Sequence, residues 1–279
     1  GKYLTSRQIR ERLLTESLHN VALSVVETED PDRFEVSGRG ELHLSVLIET
    51  MRREGYELLV SRPKVIERVV DGVRQEPFET VVLDIGIEQQ GKVIESLTER
   101  RGELLEIEVG QGDRVRLTFK VTSRGLMGFR SSFLSLTSGE GLMSFAGAGF
   151  GPRISGDLGS RQNGVLISNT DGKAVGYALF NLQARGRLFV EPGDLIYEGM
   201  VVGLHSRSND LTVNPAKEKK LTNVRASGSD EAIDLNAPVK MSLEQSLEFI
   251  DEDEFVEVTP SAVRIRKKLL KEYERKRVN

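Results

Sequence analysis

The sequence predicts an α+β protein in which two ferredoxin-like (βαββαβ) domains, the first lacking its opening strand, precede a mainly β C-terminal domain with a few helices. Three observations lead to this prediction. Helical and alternating apolar patterns follow one another in nearly the same order in two successive segments. A glycine-rich stretch then interrupts the pattern. Beyond it, alternation and turn signals dominate. A length of 279 residues suits two or three domains.

The first segment predicts the order α-β-β-α-β. Thr5 is a helix N-cap, and Gln8, three residues later, completes a capping box. Two strands flank the turn at 30–32. Apolar residues at 44–51 recur at helical spacing, and a strand at 57–60 ends the segment. This is the ferredoxin-like order without its first strand, so we expect the chain to begin just after that strand and to leave a sheet edge unpaired.

The second segment predicts the complete order β-α-β-β-α-β. The predicted strands are 79–85, 105–109, 115–121 and 142–145, and the predicted helices are 91–101 and 126–136. Alternation is clearest in strand 115–121, where four apolar residues share one face.

The third segment is predicted to be mainly β. The stretch 147–164 is rich in glycine and predicts a linker. Strands at 165–168 and 174–180 around Asp171-Gly172 predict a hairpin. The remaining predicted elements are a strand region at 195–205, a helix capped by Ser242 and Gln245, strands on either side of Thr259-Pro260, and a charged helix at 269–277. The predicted domains are therefore 1–72, 73–152 and 153–279.

Composition removes several classes of function. The chain has no cysteine, which excludes disulfides, thiol nucleophiles and cysteine zinc sites. No apolar run is long enough for a membrane helix. His19, His43 and His205 lack metal-ligand spacing, and each is interpreted as a surface residue. Neither a P-loop nor a G-x-S-x-G motif occurs, so we expect no catalytic site, metal or cofactor in this chain, and a hydrolase is disfavoured.

Two polar stretches, 205–214 and 217–228, contain the side chains most suited to binding. They are rich in Ser, Asn, Lys and Arg, the donors that meet phosphate, ribose and base edges. Composition alone favours a solvated surface loop, so a binding role for these stretches depends on what surrounds them.

A second cationic face is predicted on strand 115–121. Arg114, Arg116 and Lys120 alternate with its apolar residues, and Arg124 and Arg130 follow near a helix start, where anions are favoured. The alternative is a solvated sheet face. Exposed aromatics of the RRM type are missing, so shape and phosphate recognition fit better than base stacking. The net charge of −4 argues against indiscriminate nucleic-acid binding by the whole surface.

Several motifs make the sequence similar to a known family. The stretches 36–44, 52–58 and 61–65 resemble domain III of elongation factor G-type translational GTPases. A narrower resemblance, to the TypA/BipA family, lies in the stretches 123–130, 161–166, 205–211, 219–228 and 257–260. Together these motifs span essentially the whole chain.

The resemblance implies a cytoplasmic, ribosome-associated bacterial GTPase involved in stress adaptation and large-subunit assembly. It assigns 1–72 as domain III-like, 73–152 as domain V-like and 153–279 as the family-specific C-terminal domain. In this family GTP and Mg²⁺ bind an N-terminal domain that we expect to be absent here, so this chain is not expected to hydrolyse GTP. The start at Gly1, not Met, fits a processed chain or a piece of a longer protein.

The resemblance also implies an RNA-binding loop that reaches the peptidyl-transferase centre and A-site tRNA. The expected RNA-binding residues of the C-terminal domain are Ser206, Arg207, Ser208, Asn209, Lys217, Lys219, Lys220, Asn223 and Arg225. In the domain V-like part, the expected RNA-binding residues are Arg114, Arg116, Lys120, Arg124 and Arg130. The expected partners are the ribosome, its rRNA and A-site tRNA, with no membrane; oligomeric state is left open.

A second hypothesis is a protein-interaction module. Its docking surfaces would be the acidic run 248–254 and the basic tail 264–277. The acidic run is otherwise interpreted as a solvated helix end. Binding that survives nuclease treatment would favour this hypothesis over RNA binding.

Overall fold

The computed structural model describes residues 1–110, 112–156, 158, 161–218 and 234–278. The chain divides into two compact units. We call Gly1–Arg62 with Arg161–Asn279 the composite unit, and Pro63–Ser160 the insert unit. No helix among the described residues is both long and apolar enough to cross a membrane.

The N-terminal part of the composite unit has the predicted order α-β-β-α-β. Its elements are α1 (Ser6–His19), β1 (Ser24–Glu27), β2 (Phe34–Ser37), α2 (Glu41–Glu54) and β3 (Leu58–Ser61). The capping box of α1 is confirmed: the Gln8 amide donates to Thr5 Oγ1, and the Thr5 amide donates to Gln8 Oε1. A small core between α1, α2 and the β1–β2 hairpin contains Leu13, Leu47 and Met51.

The insert unit contains the complete ferredoxin-like plan. Its elements are β4 (Arg68–Val70), β5 (Val73–Gly86), α3 (Gln90–Glu99), β6 (Glu103–Val109), β7 (Arg114–Thr122), α4 (Ser123–Leu126), α5 (Phe129–Leu136) and β8 (Leu142–Pro152). The strands lie in the order β6-β7-β5-β8, and β4 extends the sheet at the start of β5. The apolar face of β5 and β7 packs on α3 and α5, as alternation predicted.

Two predictions within the insert unit were wrong in their bounds. The helix predicted at 126–136 divides into α4 and α5, because Gly128 between them has a φ of +69°. Strand β8 continues to Pro152, whereas 147–164 was predicted to be a linker. Alternating Gly and Ala give no apolar periodicity, so pattern alone could not extend the strand past Phe145.

The C-terminal part of the composite unit is a sheet with both faces covered. Its elements are β9 (Val165–Ser168), β10 (Gly172–Lys173), α6 (Gly176–Leu182), β11 (Gly186–Leu188), β12 (Leu195–Ile196), β13 (Val201–His205), β14 (Leu211–Val213), α7 (Leu243–Phe249), β15 (Glu254–Val258), β16 (Val263–Lys267) and α8 (Glu272–Val278). The main sheet has the order β11-β13-β9-β14, with β9 and β14 parallel. All four residues of β9 are buried, because one core contains Val165 and Ile167 and another contains Leu166.

The hairpin predicted around Asp171-Gly172 is wrong. Residues 176–182 form helix α6, and β9 pairs instead with β13 and β14. The strand region predicted at 195–205 is divided into β12 and β13 by a turn at Gly199, whose φ is +89°. The capping box of α7 at Ser242 and Gln245 and the two strands around 259–260 are confirmed.

Strand β3 links the two parts of the composite unit. It pairs antiparallel with β15, giving a three-stranded sheet in the order β16-β15-β3. The β1–β2 hairpin forms a separate two-stranded sheet. One edge of β3 is therefore completed by the C-terminal part of the chain, a long-range pairing that the local pattern does not encode.

Candidate functional site

An exposed polar loop connects β13 to β14. Ser206, Arg207, Ser208 and Asn209 form this loop, which we call the 206–209 loop, and all four residues are exposed. Its backbone is fixed by neighbours, since the Gly164 amide donates to the Arg207 carbonyl at 2.8 Å and the Ser206 amide donates to the Arg185 carbonyl at 2.9 Å. The side chains therefore project from a positioned backbone.

His205 and Gly164 lie directly against this loop. His205 is buried, which corrects the interpretation of this residue as a surface histidine. Its Nδ1 lies 2.5 Å from the Asn209 carbonyl oxygen, and since a carbonyl only accepts, Nδ1 carries the proton. A Cβ at position 164 would lie 2.2 Å from the Asn209 carbonyl group, so only glycine fits there. Close packing thus sets the path of the loop.

Lys267 anchors the far end of the loop. Its side chain is 3% exposed, and its Nζ lies 2.6 Å from Asp210, 2.8 Å from Asp253 and 3.0 Å from Glu254. Asp210 also accepts from the Val165 amide at 2.8 Å. A single buried cation therefore joins β16, the 251–254 turn and the first residue after the loop.

Arg161 completes the same network. Its guanidinium donates two hydrogen bonds to the buried carboxylate of Glu254, at 2.9 and 3.0 Å, and lies 4.6 Å from the centroid of the Phe249 ring. Burial penalises ionised Glu254, but Arg161 and then Lys267 outweigh that penalty and hold the pKa of Glu254 below its ordinary value. For Asp251, burial is the larger effect and raises the pKa. We call Arg161, Asp210, Asp253, Glu254 and Lys267 the ionic cluster.

The prediction of 251–254 as a solvated helix end is wrong for Glu254, which is buried in the ionic cluster, whereas Glu252 and Asp253 are exposed. Of this acidic run, Asp253 and Glu254 contact Lys267, and Asp251 contacts Arg62 at 3.1 Å. Charges of the 264–277 tail are also used internally, for example Lys271 with Glu198. Internal pairing on this scale does not favour the protein-docking hypothesis, which requires these charges to be available.

A cavity of about 390 Å³ opens between the loop and the cluster. Its lining is polar and includes Arg161, Asn163, Ser208, Asn209, Asp251 and Asp253. Among the residues that the structure describes, no group of His, Asp and Glu is arranged to hold a metal ion. The chemistry available at this site is hydrogen bonding and charge, not metal coordination by the described residues.

The second predicted polar stretch lies largely beyond what the structure describes. Lys217 is exposed, whereas Lys219, Lys220, Asn223 and Arg225 fall outside the described residues. The chain is described again from residue 234, where the Gln183 side chain donates to the Asp234 carbonyl at 3.0 Å and accepts from the Asn236 amide at 3.1 Å.

In the insert unit, Arg114, Arg116 and Lys120 lie on the open face of β7, as alternation predicted. Carboxylates of the neighbouring strands lie beside these cations. Asp84 contacts Arg114 and lies 3.6 Å from Arg116, and Glu103 pairs with Lys120 in register. This face is therefore a ladder of opposite charges.

Arg124 and Arg130 differ from each other in environment. Arg124 is largely buried, lies 3.0 Å from the buried carboxylate of Glu76 and donates to the carbonyls of Ile154 and Gly156 at 2.7 Å. Its contacts tie β5 to the end of β8, which is a structural role. Arg130 is exposed on α5.

Sequence reasoning missed the ionic cluster and two further exposed arginines, Arg185 and Arg187. The cluster has no local signal, because Arg161 and Glu254 are far apart in the chain. Arg185 and Arg187 lie two residues apart at β11, and their alternation was the available signal.

Similarity to known proteins extends over the whole chain. A family model described as the TypA/BipA C-terminal domain matches residues 163–272, and one described as the elongation factor G C-terminus matches residues 73–154. The chain is 60% identical over its full 279 residues to proteins of Haemophilus influenzae and Salmonella typhimurium, and 59% identical to one of Escherichia coli K12. Each is named large ribosomal subunit assembly factor BipA. The chain covers 45% or 46% of these relatives, so it spans less than half of their length.

Proposed function

The chain belongs to the TypA/BipA family, and from this premise we propose that it binds the large ribosomal subunit through ribosomal RNA. The relatives are named as assembly factors of that subunit. The observation that carries the proposal is the 206–209 loop, which presents Ser, Arg and Asn side chains on a backbone held by hydrogen bonds with Gly164, Arg185 and His205. These are side chains that contact phosphate and ribose and set register on a nucleic acid.

Electrostatics favour the composite unit over the insert unit as the main RNA contact. Arg207 forms no salt bridge with any other described residue, so its charge is available to a phosphate. In the insert unit, Arg114, Arg116 and Arg124 have carboxylates within 4 Å. Releasing them to RNA would first break an existing ion pair. Arg130 remains the more accessible candidate there.

The family relationship extends the proposal in three directions. We propose that Lys217, Lys219, Lys220, Asn223 and Arg225 contribute further RNA contacts, and that A-site tRNA is a second RNA partner. We also propose that the whole protein is a cytoplasmic translational GTPase with a role in stress adaptation, its GTP and Mg²⁺ being bound outside this sequence. In that arrangement this chain orients or anchors the enzyme and performs no chemistry.

The proposal is tested by co-sedimentation of this chain with purified large subunits over a KCl titration. We expect R207A/S208A/N209A to weaken binding and to reduce the slope of log K against log salt by about 0.7–0.9, the value for one phosphate contact. K219A/K220A/R225A removes three cations and should reduce the slope by roughly 2 to 3.

Arg7→Ala is the matched control, because Arg7 is an exposed arginine of α1 already paired with Glu11 at 3.0 Å. It should bind as the parent chain does. Equal binding by the parent and both multiple variants, or no binding by the parent chain even at low salt, would contradict the proposal.

A further inference from the structure

Two large aromatic side chains stand exposed on α6. Tyr177 is 39% exposed and Phe180 is 46% exposed, while Ala178 and Leu179 between them are buried and fix the helix on the core. Residues three apart lie on the same side of a helix, so Tyr177 and Phe180 form one aromatic surface. Each of the two residues is more than one-third exposed, so this surface is accessible to a partner.

Exposed arginines follow this aromatic pair along the chain. A 3₁₀ turn at 183–185 leads from α6 into β11, and both Arg185 and Arg187 are exposed. The backbone hydrogen bond from Ser206 to Arg185 places them beside the 206–209 loop. Arg185 ends the turn and Arg187 lies in β11 two residues later, so the two charges are close together in the chain.

These arginines have no carboxylate partner among the described residues. Nine other arginines of the composite unit, for example Arg12 and Arg53, have a carboxylate within 4 Å, whereas Arg39, Arg266, Arg275 and Arg277 resemble this pair in having none among the described residues. Uncompensated charge at Arg185, Arg187 and Arg207 therefore forms a local cationic surface in a chain whose net charge is −4.

Hydrogen bonds and close backbone packing hold the segment that carries this surface. Gln183 is hydrogen-bonded to both Asp234 and Asn236, and the Val239 amide donates to the Leu188 carbonyl at 2.8 Å. At Gly186 the strands approach so closely that a Cβ would lie 1.9 Å from the Leu204 carbonyl oxygen. The separation between the aromatic pair and the arginines is thus set by backbone contacts on both sides.

We propose that Tyr177, Phe180, Arg185 and Arg187 bind a single-stranded segment of RNA. Aromatic side chains stack on unpaired bases, and arginines neutralise the phosphates between them. In an RNA duplex the base faces are already stacked on each other, so an aromatic platform recognises a loop or an end. This inference rests on the proposed function and adds to it the form of RNA that is bound and four residues to which no role was assigned.

A spectroscopic test uses the fact that the chain contains no tryptophan. Phe180→Trp introduces a unique fluorophore at the aromatic surface. We expect a 12-nucleotide oligoadenylate RNA to quench its emission, because the base stacks on the indole, and an abasic 12-mer of the same charge to leave it unchanged. Absence of quenching at RNA concentrations where anisotropy shows binding would overturn the proposal.

Affinity measurements separate stacking from charge. By anisotropy with labelled oligoadenylate, Y177A/F180A should bind at least about 10-fold more weakly, with an unchanged salt slope. R185A/R187A removes two cations and should lower the slope of log K against log salt by about 1.4, since each phosphate contact on a single strand contributes about 0.7. Y177F/F180Y keeps both rings and should bind as the parent chain does. Y273A is the matched control, since Tyr273 is an exposed tyrosine on another helix, α8.

The outcomes distinguish this inference from the function on which it rests. Parent-like oligoadenylate binding by Y177A/F180A, or no oligoadenylate binding by the parent chain, overturns the inference, while large-subunit binding that depends on the 206–209 loop still supports the proposed function. If loss of the circular dichroism signal shows that Y177A/F180A is unfolded, the quenching of Phe180→Trp and the salt slope of R185A/R187A still test the inference. Preference for an acidic peptide over the RNA in the quenching assay would also count against it.

Discussion

Replacement of Lys267 by methionine tests whether the ionic cluster holds the composite unit together. Methionine keeps most of the apolar stem and removes the charge. The three carboxylates around Nζ would then face one another without their shared cation, although Glu254 would keep its two hydrogen bonds from Arg161. Breaking a buried ion pair by removing one partner is strongly destabilising because an uncompensated charge remains.

The magnitude follows from the exposure of each carboxylate. Removing one partner of a buried pair costs roughly 3–5 kcal/mol. Asp210 and Asp253 have side chains that are 39% and 63% exposed, so water screens their contribution and only the Glu254 contact acts at full strength. We therefore expect the low end of the range, about 3 kcal/mol, a large fraction of the roughly 5–15 kcal/mol typical of a folded protein.

Urea denaturation of the two chains gives the difference, and hydrogen exchange of peptides from β16 and from 205–214 assigns it to the composite unit. Lys271→Met is the control, since Lys271 is 52% exposed and pairs with Glu198 at the surface. Its expected cost is below about 1 kcal/mol. A cost for Lys267→Met as small as that of the control would refute the argument that this cation is essential to the cluster.

Two further predictions follow from single positions. Burial, and then the charge of Glu248, raise the pKa of Glu41 to about 7 from 4.5. The folded chain thus retains this proton over a range where the unfolded chain has lost it, and stability falls as pH rises from about 4.5 to about 7. Glu41→Gln should remove this fall, so that between pH 4.5 and 8 the free energy of unfolding of the variant, measured by urea denaturation, rises by up to about 3 kcal/mol relative to the parent. Parallel curves of unfolding free energy against pH for the two chains would contradict this prediction. Gly164→Ala should displace the Asn209 backbone, destabilise the chain by roughly 1–3 kcal/mol and weaken large-subunit binding. Gly147→Ala is the control, because a Cβ there meets nothing within 4 Å, and it should change neither stability nor large-subunit binding. The same effects for Gly164→Ala and Gly147→Ala would contradict the packing argument.

Much of the fold could be predicted because its signals are local. Helix α1 begins at the Thr5 capping box, α7 begins at the Ser242 capping box, and the apolar alternation of β7 defines its buried face. Helix α6 could not be predicted in this way. Its seven residues are too few to be stable alone, so the buried contacts of Ala178 and Leu179 decide the helical state, and these depend on the tertiary structure.

The same distinction between local and long-range signals applies to the candidate site. The polarity of the 206–209 loop is visible in composition, and so is the alternation of cations on β7. The sequence does not show which charged side chains lack a salt-bridge partner, because the partners are brought together by strand register and by contacts between distant parts of the chain. Arg116 meets Asp84 only after β5 and β7 have paired, and Arg161 meets Glu254 only after β15 has joined the sheet. Binding residues could therefore be nominated from the sequence but not ranked.

A buried ionic cluster beneath a polar loop is a costly way to gain stability, since desolvation opposes much of the attraction between buried charges. The advantage of the ionic cluster here is that it fixes the position of the end of the loop. Fixing the backbone of one residue costs roughly 1–2 kcal/mol, and the four exposed residues of the 206–209 loop bury little surface to offset that cost. Lys267 holds Asp210 at the end of the loop in the folded chain, so the proposed contacts with RNA would have less ordering of the loop to do. Lys267→Met should consequently weaken large-subunit binding under conditions where the chain remains folded, although Lys267 itself is too buried to touch the RNA.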